Sequence, residues 1–248
     1  METRLGLIGA DNCVKTGLEP FIELVRSFDP QRLATPQARF ALAWPRIYYD
    51  RDEPENCGNS PKQNAARLPL AYHLLAQCGE RPLITRLDRI PAGVDTIVVA
   101  SAAMDHHDQL ALLAFVEAGG HLVWHGPQAS HWGAIQARLI GAWSCDHRAQ
   151  LPQHVEIFGR TWHLPEATVE RTAWQRLEVE PTTARIIARD QHGLPLVGVN
   201  RVGRGSVAWA LPLVEDAILP VSAEAARRSP WSAWYRGMLD LACSGEGS

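Results

Sequence analysis

The stretch DTIVVASAAMDHHDQLALLAFVEAGGHLVWHG, Asp95 to Gly126, holds two short apolar runs with a helical pattern between them. The runs Thr96–Ala100 and Leu122–Trp124 are β-branched or apolar throughout, as strands buried on both faces must be. Between them Leu110, Leu113, Ala114 and Val116 recur with helical spacing, and a strand, a helix and a strand of these lengths predict one parallel βαβ unit. Asp105 stands where the helix begins and is expected to be its N-cap. Asp108, three residues on, holds the place of the acidic partner in a capping box, and both carboxylates suit the positive end of the helix dipole. His106 and His107 are adjacent, so they project about 100° apart around a helix and cannot share one ion as an i, i+4 pair can.

The same rhythm extends outward. ARFALAWP, residues 38–45, is a continuous apolar run stopped by Pro45 and reads as another strand. PKQNAARLPLAYHLLAQCG, residues 61–79, reads as a helix that Pro69 should kink or split and Gly79 should close. RPLITRL, residues 81–87, is a further strand candidate. Beyond Gln150 the pattern becomes short strands and glycine turns, with DQHG (190–193) and VGRG (202–205) as hairpin turns. This second half is expected to be an antiparallel meander that extends the sheet. SPWSAWYRGMLDLAC, residues 229–243, reads as a last helix with Ser229 as its cap and Pro230 at its first position. Near the other end, KTGLEPFIELVRSF (15–28) spaces Leu18, Phe21, Ile22, Val25 and Phe28 as one apolar helix face that needs a covering surface.

Composition narrows the function classes. In 248 residues, 24 Lys plus Arg face 27 Asp plus Glu, a formal net charge of −3, with no block of like charge. Bulk attraction to nucleic acid or to an anionic membrane is not indicated. No apolar run approaches the roughly 20 residues that span a bilayer, and the N-terminus lacks a signal-like pattern, so a cytoplasmic location is expected. The five cysteines, Cys13, Cys57, Cys78, Cys145 and Cys243, form no CxxC pair, which indicates neither a disulfide framework nor a zinc site. Reduced, mostly buried thiols are expected, with no metal and no cofactor. The nine Trp suit either a core or the stacking faces of a sugar site.

In a parallel sheet, ligands bind beyond the carboxyl ends of the strands. Trp44, Arg46, Ser101, Asp105, His125, His131 and Trp132 all fall at such ends. His125 reads either as an acid/base group or as a strand-end histidine that satisfies loop carbonyls. There is no GxSxG elbow, Walker loop, HExxH or GxGxxG after the first strand. The acidic run Asp50, Asp52, Glu53 and Glu55 reads as a solvated face.

ARFALAWPRIYYD (38–50), DTIVVASAAMDHHDQLALLAFVEAGGHLVWHGP (95–127) and DQHGLPLVGVNRVGRGSVAWALP (190–212) together resemble the middle, or trimerisation, domain of the large bacterial β-galactosidases. FVEAGGHLVWHG, Phe115 to Gly126, is the most specific part. RLGLIGADNCVKTGLEPFIELV (4–25) is similar to the last barrel strand and helix of such glycosidases. The resemblance implies a three-layer α/β fold, a flavodoxin-like or class I glutamine amidotransferase-like parallel sheet extended by antiparallel hairpins. It implies a barrel-end-like segment over 1–36 and the amidotransferase-like domain over 37–248. Amidotransferase chemistry needs a cysteine nucleophile with a histidine base and an orienting carboxylate. The turn after HLVWHG offers Trp124, His125 and Gly126; the family's late His-Pro-Glu aligns with Leu211, Pro212 and Leu213; and Cys145 lacks flanking glycines.

The expected function is therefore a noncatalytic accessory or assembly domain of a glycoside hydrolase system, whose two catalytic carboxylates would reside on earlier barrel strands. Its expected partners are copies of itself, a trimer by resemblance, or a glycosidase barrel, with a carbohydrate as ligand. Trp44, Arg46, Tyr48, Tyr49 and Trp132 would face the ligand or the interface, and Phe21 and Val25 would be covered in the assembly. The rival is a small hydrolase or ligand-binding domain with its site at Ser101, Asp105, His125 and His131.

Overall fold

A computed structural model describes residues 38–46, 61–100, 104–127, 133–147, 151–164, 177–217 and 229–244. A seven-stranded sheet, order β2-β1-β3-β4-β11-β10-β9, forms the centre of the unit Ala38–Ser248. Its parallel part comprises β1 (Phe40–Ala43), β2 (Leu83–Thr85), β3 (Thr96–Ala100), β4 (His121–His125) and β11 (Gly205–Ala210). β10 (Pro195–Val202) and β9 (Arg185–Arg189) continue it antiparallel. Ile97, Val98 and Val99 of β3 and Leu122, Val123 and Trp124 of β4 are fully buried, as strands covered on both faces require.

Among the described residues four helices cover the sheet: α1 (Pro61–Gln77), α2 (His106–Glu117), α3 (Ala134–Ile140) and α4 (Trp231–Ser244). Neighbouring residues of β11 show which lies where. The hydroxyl of Ser206 donates to the carbonyl of Ala242 in α4, whereas a side chain at Gly205 would run into the carbonyl of Val116 in α2. Since adjacent strand residues face opposite ways, α4 and its neighbour α1 lie on one face and α2 with α3 on the other. α4 turns Trp231, Trp234, Tyr235, Met238, Leu239 and Ala242 inward at helical spacing, each large side chain contributing about 1.5–3 kcal/mol by burial. The backbone N–H of Trp231 donates to the Ser229 hydroxyl at 3.3 Å, so the expected cap is in place.

Several expectations are corrected. α1 is one helix through Pro69 and is not split there; Pro69 lies on the exposed face, with Arg67, Ala71, Leu74 and Leu75 buried. Its end does follow the pattern: the Gly79 N–H bonds to the Ala76 carbonyl and the Glu80 N–H to the Leu75 carbonyl, a Schellman closure with Gly79 at φ 83°. In α2 the buried stripe is Gln109, Leu112, Leu113 and Val116, leaving Leu110 exposed. That helix is apolar nearly all round, so its period alone could not fix which side faces inward.

The second half is not one meander. β5 (Ala142–His147) pairs with β8 (Leu177–Pro181), and β6 (His154–Ile157) with β7 (Arg160–His163), in separate two-stranded sheets. DQHG and VGRG are hairpin turns as expected, joining β9 to β10 and β10 to β11. The described cysteines are less buried than composition suggests: Cys78 is half-buried, and Cys145 and Cys243 are exposed. No described helix is long and apolar enough to cross a membrane.

Candidate functional site at the carboxyl edge of the sheet

Two polar clusters occupy the edge where the parallel strands end. The first joins the loops after β1 and β3. Asp105, in extended conformation before α2, accepts the Asp108 N–H at 2.7 Å through Oδ1 and is the N-cap. Asp108 does not reach back to complete a capping box; its Oδ2 accepts the backbone N–H of Arg46 at 2.7 Å, across from β1. The Arg46 guanidinium Nε lies 3.8 Å from Asp105 Oδ2, an ion pair too long to be a hydrogen bond. Burial, with the Asp105 charge beside it, pushes the Asp108 carboxyl up to about 6 against the lowering by Arg46. A carboxyl poised there changes protonation in mildly acid solution, a property of acid/base sites and of tightly packed caps alike.

The second cluster lies beyond β4 and β11. A side chain on Gly126, at φ 69°, would strike Leu213, so the chain leaves β4 closely under the segment that follows β11. That segment ends in a 3-10 turn, Val214–Ala217, whose Glu215 and Asp216 are both withdrawn from solvent. Glu215 Oε1 lies 3.1 Å from His125 Nδ1 and accepts the hydroxyl of Tyr235 from α4. The Tyr235 ring stands edge-on to His125, centroids 4.8 Å apart. All three side chains are fully buried. Burial raises the Glu215 carboxyl, but the His125 charge and the hydrogen bonds from His125 and Tyr235 outweigh it and hold the group below its ordinary value. An ionised carboxylate only accepts, so His125 Nδ1 carries a proton. Among the described residues His125 Nε2 and Glu215 Oε2 have no hydrogen-bond partner. Asp216 is gripped by Arg67 of α1 in a fork, at 2.8 and 3.0 Å.

His125 is thus neither exposed nor bound to loop carbonyls; its partner is a carboxylate that the sequence reading did not single out. The acidic doublet Glu215–Asp216, directly after the apolar run of β11, was the available signal. Arg46 and Asp105 come together, while His125 pairs with Glu215 rather than with Asp105. Trp44, 41% exposed, flanks Arg46. Ser101, His131, Trp132, Tyr48, Tyr49, Phe21, Val25 and the acidic run 50–55 lie outside the described residues. Among the described residues no group of three His, Cys, Asp or Glu is placed to hold a metal ion. Chemically, the first cluster ties two loops and holds one titrating carboxyl; the second holds buried polar groups together behind the Val214–Ala217 turn.

No family model matches the sequence, and no curated protein matches it. Solved structures do. The chain is similar to an exo-β-1,4-mannosidase of Opitutaceae bacterium strain TAV5, with 34% identity and a TM-score of 0.72 over 95% of this chain and 41% of the mannosidase. It is similar in fold to a GH42 β-galactosidase of G. stearothermophilus, with 14% identity and a TM-score of 0.54 over 95% of this chain and 35% of that one. A β-galactosidase of the Antarctic haloarchaeon Halorubrum lacusprofundi gives 15% identity and a TM-score of 0.53 over 96% and 35%. The chain spans well under half the length of these enzymes. At 34% identity over nearly its whole length, it is a domain related to the glycoside hydrolases.

Proposed function

We propose that the chain is a noncatalytic accessory and assembly domain of a glycoside hydrolase system, with a class I glutamine amidotransferase-like, flavodoxin-like fold over residues 37–248 and a barrel-end segment over 1–36. The observation that carries this is the asymmetry of coverage: nearly all of this chain corresponds to 41% of the mannosidase. The parallel order β2-β1-β3-β4-β11 supports the fold reading, since it is the 2-1-3-4-5 order of flavodoxin-like sheets. The buried state of His125, Glu215 and Asp216 supports the noncatalytic reading, because these groups fasten the Val214–Ala217 turn instead of facing a cleft. In this role Trp44, Arg46, Tyr48, Tyr49 and Trp132 face a sugar or a neighbouring subunit, and Phe21 and Val25 are covered by a barrel or by another copy, a trimer being the expected state.

The test is the solution mass of the purified chain by light scattering over a dilution series, run beside turnover assays with aryl β-mannoside and aryl β-galactoside. A stable oligomer that Phe21→Asp with Val25→Asp dissolves, and no turnover, is the expected result. Turnover by the chain alone, lost on Asp105→Asn or His125→Ala with folding intact, overturns the reading.

A further inference from the structure

We propose that a concavity around Trp143, on the α2 and α3 face of the sheet, is a saccharide subsite that takes one pyranose unit of a neutral β-linked oligosaccharide. It encloses about 340 Å³, the lower end of small-molecule sites, and lies apart from the strand-end clusters. Trp143 of β5 is 50% exposed, whereas Trp124, Trp162, Trp209, Trp231 and Trp234 are buried. An indole held half in water on a strand presents the flat apolar surface on which the C–H face of a sugar ring stacks.

The polar floor is built rather than incidental. Asn200, 2% exposed, donates through its amide to the carbonyls of Arg138 and Leu139 at 2.9 and 3.0 Å, and accepts the Thr183 hydroxyl at 2.8 Å. One buried side chain therefore ties the end of α3, the β8–β9 turn and β10. Gly141 completes the knot: its carbonyl accepts the N–H groups of Thr182, Thr183 and Ala184 at 2.8, 3.1 and 3.0 Å. A side chain there would strike Asn200, and its φ of 71° is the left-handed value that glycine adopts without strain. The walls are thus fixed before any ligand arrives, which lowers the ordering cost of binding. With its hydroxyl hydrogen bonded to Asn200, the Thr183 oxygen keeps lone pairs that accept from a sugar hydroxyl, while the Arg138 guanidinium on the rim supplies donors. Arg138 is ion-paired with Glu117, and Glu180 stands opposite Trp143 in the β5–β8 pair, so the basin is not a concentrated anion site. A stacking plane beside a hydroxyl acceptor, with the Arg138 charge already offset by Glu117, suits a neutral sugar better than a phosphate or sulfate.

The subsite deepens the accessory reading and rests on the glycosidase relationship for its ligand class. The experiment titrates the full chain with β-1,4-mannobiose and, separately, lactose, following the indole ¹H–¹⁵N signals; the Trp143 signal is identified by its loss in Trp143→Phe. The expected result is a saturable shift of that signal in the millimolar range with at least one disaccharide. Trp143→Ala, with the remaining indole signals unmoved in the absence of sugar, weakens binding by at least about tenfold, read from the sugar's own proton signals by saturation transfer. No saturable shift with either sugar, binding that survives Trp143→Ala, or the same shift produced by sulfate each overturns the proposal. Because the readout comes from the chain itself, a monomer in light scattering with a saturable Trp143 shift would sink the assembly reading and leave the subsite. An oligomer with a silent Trp143 would do the reverse.

Discussion

Two carboxyl groups stand at the carboxyl edge of the sheet, Glu215 beyond β11 and Asp108 in the first turn of α2, each almost withdrawn from water. Burial pushes both upward, yet Asp108 rises to about 6 while Glu215 ends below its ordinary value. The difference lies in their neighbours. Glu215 has the His125 imidazole and the Tyr235 hydroxyl against it; Asp108 has one backbone N–H, a more distant guanidinium and a second carboxylate beside it. Removal from water is therefore not what decides whether such a group stays charged. The partner decides, and it decides also how each site contributes to stability as pH changes.

The comparison breaks most visibly when the partner is removed. His125→Leu leaves Glu215 beside Tyr235 alone, and loss of one member of a buried pair destabilises by about 3–5 kcal/mol. Denaturant unfolding at neutral pH measures this. The pH profile should invert as well. In the parent, the depressed Glu215 contributes stability that is complete above the unfolded value of about 4.3 and is lost as pH falls through the lower folded value. In the variant that carboxyl behaves as Asp108 does, and its contribution weakens as pH rises. A variant that loses less than about 1 kcal/mol, with the parent's profile, would show that the pair does not hold the turn. The neighbouring fork obeys the same logic: Arg67→Met takes the guanidinium from buried Asp216 and should lose about 3–5 kcal/mol, whereas Arg67→Met with Asp216→Leu should recover most of it, since replacing both charges by packed apolar groups is often neutral.

A smaller effect sharpens the other half. Asp108 is raised above an unfolded value near 3.9, so its ionised form is penalised in the folded state. The penalty is absent below about pH 4, grows between about 4 and 6, and is complete above that. Asp108→Asn keeps an oxygen to accept the Arg46 N–H and removes the charge, so it should stabilise the protein at pH 7 by about 1–2 kcal/mol, a figure reduced for solvent screening, and flatten the profile across that window. Equal stability of variant and parent at pH 4 and at pH 7 would show that Asp108 is not penalised.

The sequence foretold the scaffold better than the site. Strands such as Thr96–Ala100 and His121–His125 are legible because a run buried on both faces has no polar alternation to confuse, and the glycines at 79, 193 and 203 mark turns that local geometry demands. The inward face of α2 was not legible, because Leu110, Leu113 and Ala114 offer an apolar stripe as plausible as the buried one. Pairings across long separations were equally hidden: His125 with Glu215, 90 residues on, and Arg67 with Asp216, 149 residues on, depend on which strand lies beside β4. That strand is β11, reached only after two small sheets intervene, and no spacing rule carries so far. Trp143 was hidden for a different reason, since which tryptophans stay exposed is a property of the packed surface and not of the local pattern.

The least effect is expected at the residue that sequence and structure place alike. Asp105 caps α2 through Oδ1, and among the described residues its Oδ2 has only the long contact to Arg46. Asp105→Ala should therefore lose about 1 kcal/mol, the ordinary value of a missing N-cap, while Asp105→Ser, which still accepts the Asp108 N–H, should lose a fraction of that. The two variants share one further consequence. The Asp105 charge is among the causes that raise Asp108, so either replacement should shift the Asp108 transition toward lower pH, measurable by following that carboxyl by NMR. If both variants unfold alike and the Asp108 titration stays where it was, neither the cap nor the charge coupling is real. If Asp105→Ser retains stability while the transition moves, Asp105 acts through two separable devices, a hydrogen bond that starts the helix and a charge that tunes its neighbour.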